Sequence, residues 1–411
     1  MTEPVLSRFL RLVAFDTQSS ESSGAHPSTP GQKLLADKLA DELRALGVSC
    51  RVTDQAYLYA SIPATKGLEH LPALGLIAHL DTSPEVSGKD VRSSVVTWNG
   101  GDIPLGTSGL AVRPPDRMKG NRIVVTDGTT LLGADDKAGV AEILTSAELL
   151  LEENRPHGPL KIAFTPDEEI GEGTQFFDYA GFGAKFAYTL DGGTLGEFEY
   201  ENFNAAKARV LVSGISAHPG GAKNRMFNAQ LAAMEFHSLL PPAESPSHTA
   251  GREGFFHLYA MKGDVSSAEL EYLLRTFDAD DMERRKDLLR SAAAFLNGKY
   301  ARDAVRVEIT DQYRNMREYI EKVPFLTEYA FEAMKRAGVE PRVSLIRGGT
   351  DGAHLSRNGL PCPNLCTGGY GAHSKTEFAC VEEMESCVRI LLNLIDVFRE
   401  HGEAKPVSAR S

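Results

Sequence analysis

Three carboxylates stand side by side at Asp167, Glu168 and Glu169, directly after an apolar-biased run (161–165) and Pro166. Like charges so close repel, and a bound cation relieves the repulsion. The plain alternative is a solvated acidic turn that caps a helix. Other apolar runs end in the same way. Residues 74–78 lead into His79-Leu80-Asp81. Positions i and i+2 of an extended chain face one way, so the imidazole could ligate while the carboxylate orients it. Residues 130–134 lead into Asp135-Asp136, which either bridge a metal site or cap the apolar helix that follows. Residues 186–190 lead into Asp191-Gly192-Gly193. The capping explanation must then hold four times, whereas one cation pocket at the ends of strands accounts for all four. His373, after the glycine-rich stretch 368–371, is the candidate for a last ligand on the strength of the others.

Elements able to position these groups follow from periodicity and punctuation. Val5, Leu6, Phe9, Leu10, Leu12 and Val13 mark a helical stripe. Thr29-Pro30-Gly31-Gln32 reads as a helix start, with a hydroxyl cap, proline at the first position and glutamine at the third. Leu34, Leu35, Leu39, Leu43 and Leu46 carry that helix to Gly47. Residues 48–52 and 58–62 read as strands, 74–78 as a strand covered on both faces, and 83–130 as turn-rich decoration of the main sheet. A helix is expected over 138–151. From about Ala206, strands (207–214, 255–263, 305–312) and helices (228–240, 280–296) mix differently, which predicts a smaller α+β domain inserted in the first. Within it, His218 beside Pro219-Gly220 reads by position as an ordinary exposed loop histidine, and Arg275 follows an apolar helix or strand. Alternating α/β texture returns with a helix at 325–336 and a strand at 343–346. The turn Arg347-Gly348-Gly349-Thr350-Asp351-Gly352 could hold an anion through N–H groups and Arg347. It lacks the Gly-Lys-Ser/Thr of a nucleotide loop.

The 411 residues allow two or three domains and a large core. A net charge of −12 without a long basic run argues against nucleic acid or an anionic membrane as main partner. The N-terminal stretch is amphipathic and interrupted by arginines, and it lacks a signal-peptide core. Cys50, Cys362, Cys366, Cys380 and Cys387 follow no secreted framework spacing and fit a reducing cytoplasm. Cys362 and Cys366 read as core or loop thiols, since no second Cys/His pair at zinc-finger spacing accompanies them.

Seven segments together resemble the zinc aminoacylase/carboxypeptidase metallopeptidase family, and within it the tripeptide aminopeptidases. They are HLDTSP (79–84), TLLGADDKAGVAEI (130–143), AFTPDEEIG (163–171), YTLDGG (188–193), ENFNAA (201–206), IRGGTDGAHLS (346–356) and LPCPNL (360–365), in family order across nearly the whole chain. The resemblance implies two zinc ions per subunit: His79, Asp135 and Asp191 on one, Asp135, Glu169 and His373 on the other, with Asp135 bridging. It implies that Asp81 orients His79, that Glu168 is the general base, and that the Asp135–Asp136 peptide is cis. His218 matches a histidine that reaches the partner's active site in a homodimer. Asn228, Arg275 and Arg347 match substrate-binding positions. Thr376 stands where the family pattern has a histidine after the lysine.

The fold implied is an α/β catalytic domain (1–206 and 317–411) with a mostly parallel central sheet flanked by helices. An inserted α+β lid and dimerisation domain (207–316) completes it. The expected activity is release of the N-terminal residue from short peptides by a cytoplasmic enzyme that binds neither nucleic acid nor membrane. A related dipeptidase or N-acyl-amino-acid amidohydrolase of the same fold is the alternative.

Overall fold

The computed structural model describes residues 3–404. Two compact units emerge. The first runs to Tyr200 and includes Glu318–Ser344 and the chain from Thr350; the second comprises Glu201–Arg317 and Leu345–Gly349.

An eight-stranded sheet organises the first unit. Its order is Ser49–Val52, Leu58–Ile62, Leu160–Thr165, Leu74–His79, Phe186–Gly192, Asn364–Cys366, Glu197–Asn202 and Arg342–Ile346. The four central strands, from Leu160–Thr165 to Asn364–Cys366, are parallel. The strands outside them pair antiparallel where Ser49–Val52 meets Leu58–Ile62, Leu58–Ile62 meets Leu160–Thr165, and Glu197–Asn202 meets Asn364–Cys366. Every residue of Leu74–His79 is buried, as its unbroken apolar run requires of a strand covered on both faces. Because the central strands are parallel, their carboxyl ends share one edge, where ligands of open α/β sheets bind.

Helix Ala134–Glu152 packs on the strands Leu74–His79 and Phe186–Gly192, and helices Val5–Leu12 and Val381–Ala404 cover its other side. This explains why it is buried nearly all round. Gly139 sets the approach: a Cβ there would lie 2.1 Å from the carbonyl oxygen of Leu190. Only glycine lets the helix come so near, and the close contact carries the start of the helix to the strand end that holds Asp191.

Two local expectations are corrected. Thr29 occupies the N-cap position of helix Pro30–Ala45 but makes no side-chain cap, and Gln32 turns to Asp167 instead. Residues 83–130 hold strands as well as turns. Ser93–Thr97 and Arg122–Thr126 join Phe378–Cys380 and Gly369–Tyr370 in a second, antiparallel sheet. Trp98, Leu105, Met118 and Ile123 fill its core with Phe378. The segment carrying His373 is the loop between the strands Gly369–Tyr370 and Phe378–Cys380 of that sheet.

The second unit is α+β. Its antiparallel sheet has the order Phe255–Gly263, Ser267–Thr276, Asn204–Ser213, Val305–Tyr313. Alternate residues (Ala206, Ala208, Val210, Val212 and Leu270, Tyr272, Leu274) form its core with Phe236 and Leu289 of helices Ala229–Ser238 and Ala279–Tyr300. The intervening residues carry charge pairs such as Lys207–Glu271 and Lys262–Glu269.

Candidate metal centre

The donors converge at the carboxyl edge of the parallel strands. His79 Nε2 lies 2.9 Å from Asp135 Oδ1 and 3.6 Å from Asp191 Oδ1. His373 Nε2 lies 2.7 Å from Glu169 Oε2 and 3.5 Å from Asp135 Oδ2. The two carboxylate oxygens of Asp135 therefore face two different imidazoles. Ligand atoms of His79, Asp135 and Glu169 gather within 4.8 Å, and so do those of His79, Asp136 and Asp191. Asp136, however, already accepts the main-chain N–H of His79 at 3.0 Å. Asp135 and Asp136 interrupt the start of the helix: their backbone is non-helical inside Ala134–Glu152, so a kink falls at the two acids. The peptide between them is cis.

Asp81 does more than face the histidine. Its carboxylate accepts the N–H of Glu168 at 3.0 Å and of Glu169 at 3.2 Å. It thus ties the end of one strand to the acidic turn after the next. The ring of His79 turns Nδ1 to the main-chain carbonyl of Asp81 (3.0 Å), with the carboxylate further away at 3.4 Å. An N–H donated there leaves Nε2 to offer its lone pair to a cation. Glu168 keeps its carboxylate in contact with the N–H of Asp351 at 3.2 Å. The third acid of the turn, Asp167, is directed elsewhere: it is fully buried and bonded to Ser28 and Gln32.

Three supporting residues escaped the sequence reading. Thr350 donates its hydroxyl to Asp191 Oδ2 at 3.2 Å. Glu85 lies 3.5 Å from His373 Nδ1. Glu377, buried, accepts the N–H groups of Leu132 and Gly133 at 2.7 Å and of Asp135 at 3.0 Å. One carboxylate thereby fixes the loop that presents Asp135. In sequence it is one acid in an unremarkable Ser-Lys-Thr-Glu-Phe, and nothing local marks it. Replacing Glu377 with alanine strands three buried N–H groups, at about 1–3 kcal/mol each. We expect a lower melting temperature and a ~10–100-fold weaker hold on divalent metal, read by thermal denaturation and by metal analysis after dialysis against chelator.

The electrostatics call for added positive charge. Burial holds Glu168 and Asp136 well above the usual carboxylate range. It lifts Glu169, Asp351 and Glu377 to about 7. Burial alone would lower His79, but Asp135, Asp191 and Asp81 around it hold it well above the usual histidine value. His373 is lifted to about 11 by Asp135 and Glu169. The pocket therefore raises its protonation to balance its own acids, and divalent cations would do the same work. Glu169 Oε1 is buried without a hydrogen-bond partner. An orphaned carboxylate oxygen beside two imidazoles and further carboxylates fits a site for divalent cations with nitrogen and oxygen ligands.

The remaining four predicted residues belong to the second unit. His218 is exposed and accepts the N–H of Gly220 on Nδ1. Asn228 caps helix Ala229–Ser238 through Gln230 and Leu231. Arg275 lies in the strand Ser267–Thr276, donates Nη1 to Gln312 and stacks on Tyr313. Arg347 donates to carbonyls of Thr249, Gly251 and Glu253 and lies over Phe203.

Residues 125–397 match the family described as Peptidase family M20/M25/M40. The chain belongs to that family. Peptidase T of Clostridium novyi is 47% identical over 407 residues, covering 96% of this chain and 99% of the relative. Peptidase T of Bacillus velezensis is 46% identical, covering 98% and 100%. Membership of this family, together with near-full-length relatives named Peptidase T, makes the protein a hydrolase, a metallo-aminopeptidase. Crystal structures of an aminopeptidase PepT from Bacillus cereus and a tripeptidase from Staphylococcus aureus share its fold. Their TM-scores are 0.77 and 0.75 at 23% and 20% identity, covering 96% and 97% of this chain and 98% and 100% of theirs.

Proposed function

We propose that the protein releases the N-terminal residue from tripeptides, working with two zinc ions. One observation carries the reading: two histidines and three carboxylates from five separate segments meet at one sheet edge, with Asp135 between the two imidazoles. Near-full-length relatives named Peptidase T support it. His79, Asp135 and Asp191 would hold one ion, and Asp135, Glu169 and His373 the other. When bound, such ions polarise the peptide carbonyl and bring the pKa of a water toward ~7. Glu168 accepts the proton of the attacking water and returns it to the amine nitrogen that leaves. Asp81 holds Glu168 and Glu169 at their main chains throughout. His218 of the partner subunit would stabilise the developing oxyanion in a homodimer. The cytoplasm is the proposed location, in keeping with five unpaired thiols. No described helix is long and apolar enough to cross a membrane.

Arg275 is the stronger candidate for gripping the peptide's C-terminal carboxylate, because Arg347 already spends both terminal nitrogens on the 249–253 loop. A panel of a tripeptide, its C-terminal amide, its N-acetyl form and the matching di- and tetrapeptides tests the whole reading. The free tripeptide should be cleaved fastest, and the amide at least ~10-fold slower, the scale of one hydrogen bond to a charged group. Preference for the N-acetyl form would indicate an N-acyl-amino-acid amidohydrolase instead.

A further inference from the structure

The acidic turn that carries the base is held from two sides, and only one of them belongs to the pocket. Three successive main-chain N–H groups, of Asp167, Glu168 and Glu169, are each taken by a buried side chain. Asp81 takes the second and third. The first goes to Gln32 Oε1 at 3.0 Å, from the opening turn of helix Pro30–Ala45. The same amide donates Nε2 to Asp167 Oδ1 at 2.7 Å. Gln32 thus grips one residue at both its main chain and its side chain. Ser28 adds its N–H and its hydroxyl to the Asp167 carboxylate, and His26 Nδ1 lies 3.4 Å away. Gln32 and Asp167 are fully buried.

The grip falls where the backbone is least free to choose its own path. Asp167 has φ +57°, in the left-handed region that a non-glycine residue adopts only when its surroundings impose it. That turn reverses the chain after the strand Leu160–Thr165 and aims Glu168 and Glu169. Asp81 alone fixes the second and third amides and leaves the entry to the turn undetermined. Gln32 supplies the missing constraint.

We propose that Gln32 is a positioning residue for the general base: through Asp167 it sets the reach of the Glu168 carboxylate. The proposal rests on the reading of Glu168 as base. It also explains why Thr29-Pro30-Gly31-Gln32 begins a helix without using its glutamine as a cap.

Two substitutions test it in the full-length, metal-loaded enzyme. Gln32→Met keeps the shape and removes both hydrogen bonds; Gln32→Asn keeps an amide but shortens its reach. Each should lower kcat by ~10–100-fold, the cost of a misplacement near 1 Å, with KM and metal content close to wild type. Amide hydrogen exchange at residues 167–169 should accelerate in both. The decisive measurement is the pair with Glu168→Gln. If Gln32 acts through the base, its substitution has little further effect in that background. Unchanged kcat in the variant that folds, parallel loss of metal, or a full multiplicative loss in the double variant would each overturn the proposal. Failure of the base assignment reads out separately, as near-normal turnover in Glu168→Gln alone.

Discussion

Replacing Glu168 with alanine is expected to lower kcat by about 10²–10⁴-fold, the range a positioned general base supplies, while the metal content stays at the wild-type level. The separation follows from what the side chain touches. Its carboxylate meets the N–H of Asp351, and it is absent from both groups of converging ligand atoms. Its backbone is fixed independently by Asp81. Truncation therefore removes the proposed proton acceptor and leaves the donors of the proposed metal site where they are. Glu168→Gln sharpens the test, because it preserves size and the contact to Asp351 but cannot take up the proton. Steady-state cleavage of a tripeptide, with metal quantified on the same samples, reads both halves. Turnover within tenfold of wild type would remove Glu168 from the role of base. Parallel loss of metal would make it a ligand.

What could be read from the sequence follows a physical divide. His79, Glu169 and Asp191 stand out in the sequence because each lies at or just past the end of a buried apolar strand, which leaves a local mark; Asp135 corrects that expectation, since the apolar stretch before it is a loop and no strand. The buried strand Leu74–His79 and the altered texture after Ala206 were legible for the same reason. Residues that act across long sequence separations were not. Glu377 takes the N–H of Leu132 from 245 positions away, and Gln32 takes that of Asp167 from 135 away. Neither partner changes the local pattern. The three acids of 167–169 looked equivalent, yet the left-handed turn at Asp167 sends that one into the Ser28–Gln32 cradle. Ser93–Thr97 leaves no such mark because none of its residues is buried, so no alternation of apolar and polar betrays the strand.

Asp135→Ala is expected to be the most damaging single change at the site, because each of its two carboxylate oxygens faces a different imidazole. Its Oδ1 faces His79 and its Oδ2 faces His373, and burial is overcome by those two rings to hold it ionised, below the usual aspartate range. If it bridges, its loss weakens both ions together. Metal content after dialysis should fall from the proposed two per chain toward none, and activity by ~10³-fold or more, a small part of the acceleration typical of enzymes. Asp191→Ala and His373→Ala supply the comparison, since each touches one of the proposed ion positions and should release one ion in preference to the other. The loop that presents Asp135 should keep its place in the Asp135→Ala variant, because the main-chain N–H of Asp135 donates to Glu377 whatever the side chain. An Asp135→Ala protein that retains two ions would disprove the bridge. One that loses a single ion would assign Asp135 to one position and leave the other to Glu169 and His373, whose 2.7 Å contact holds without it.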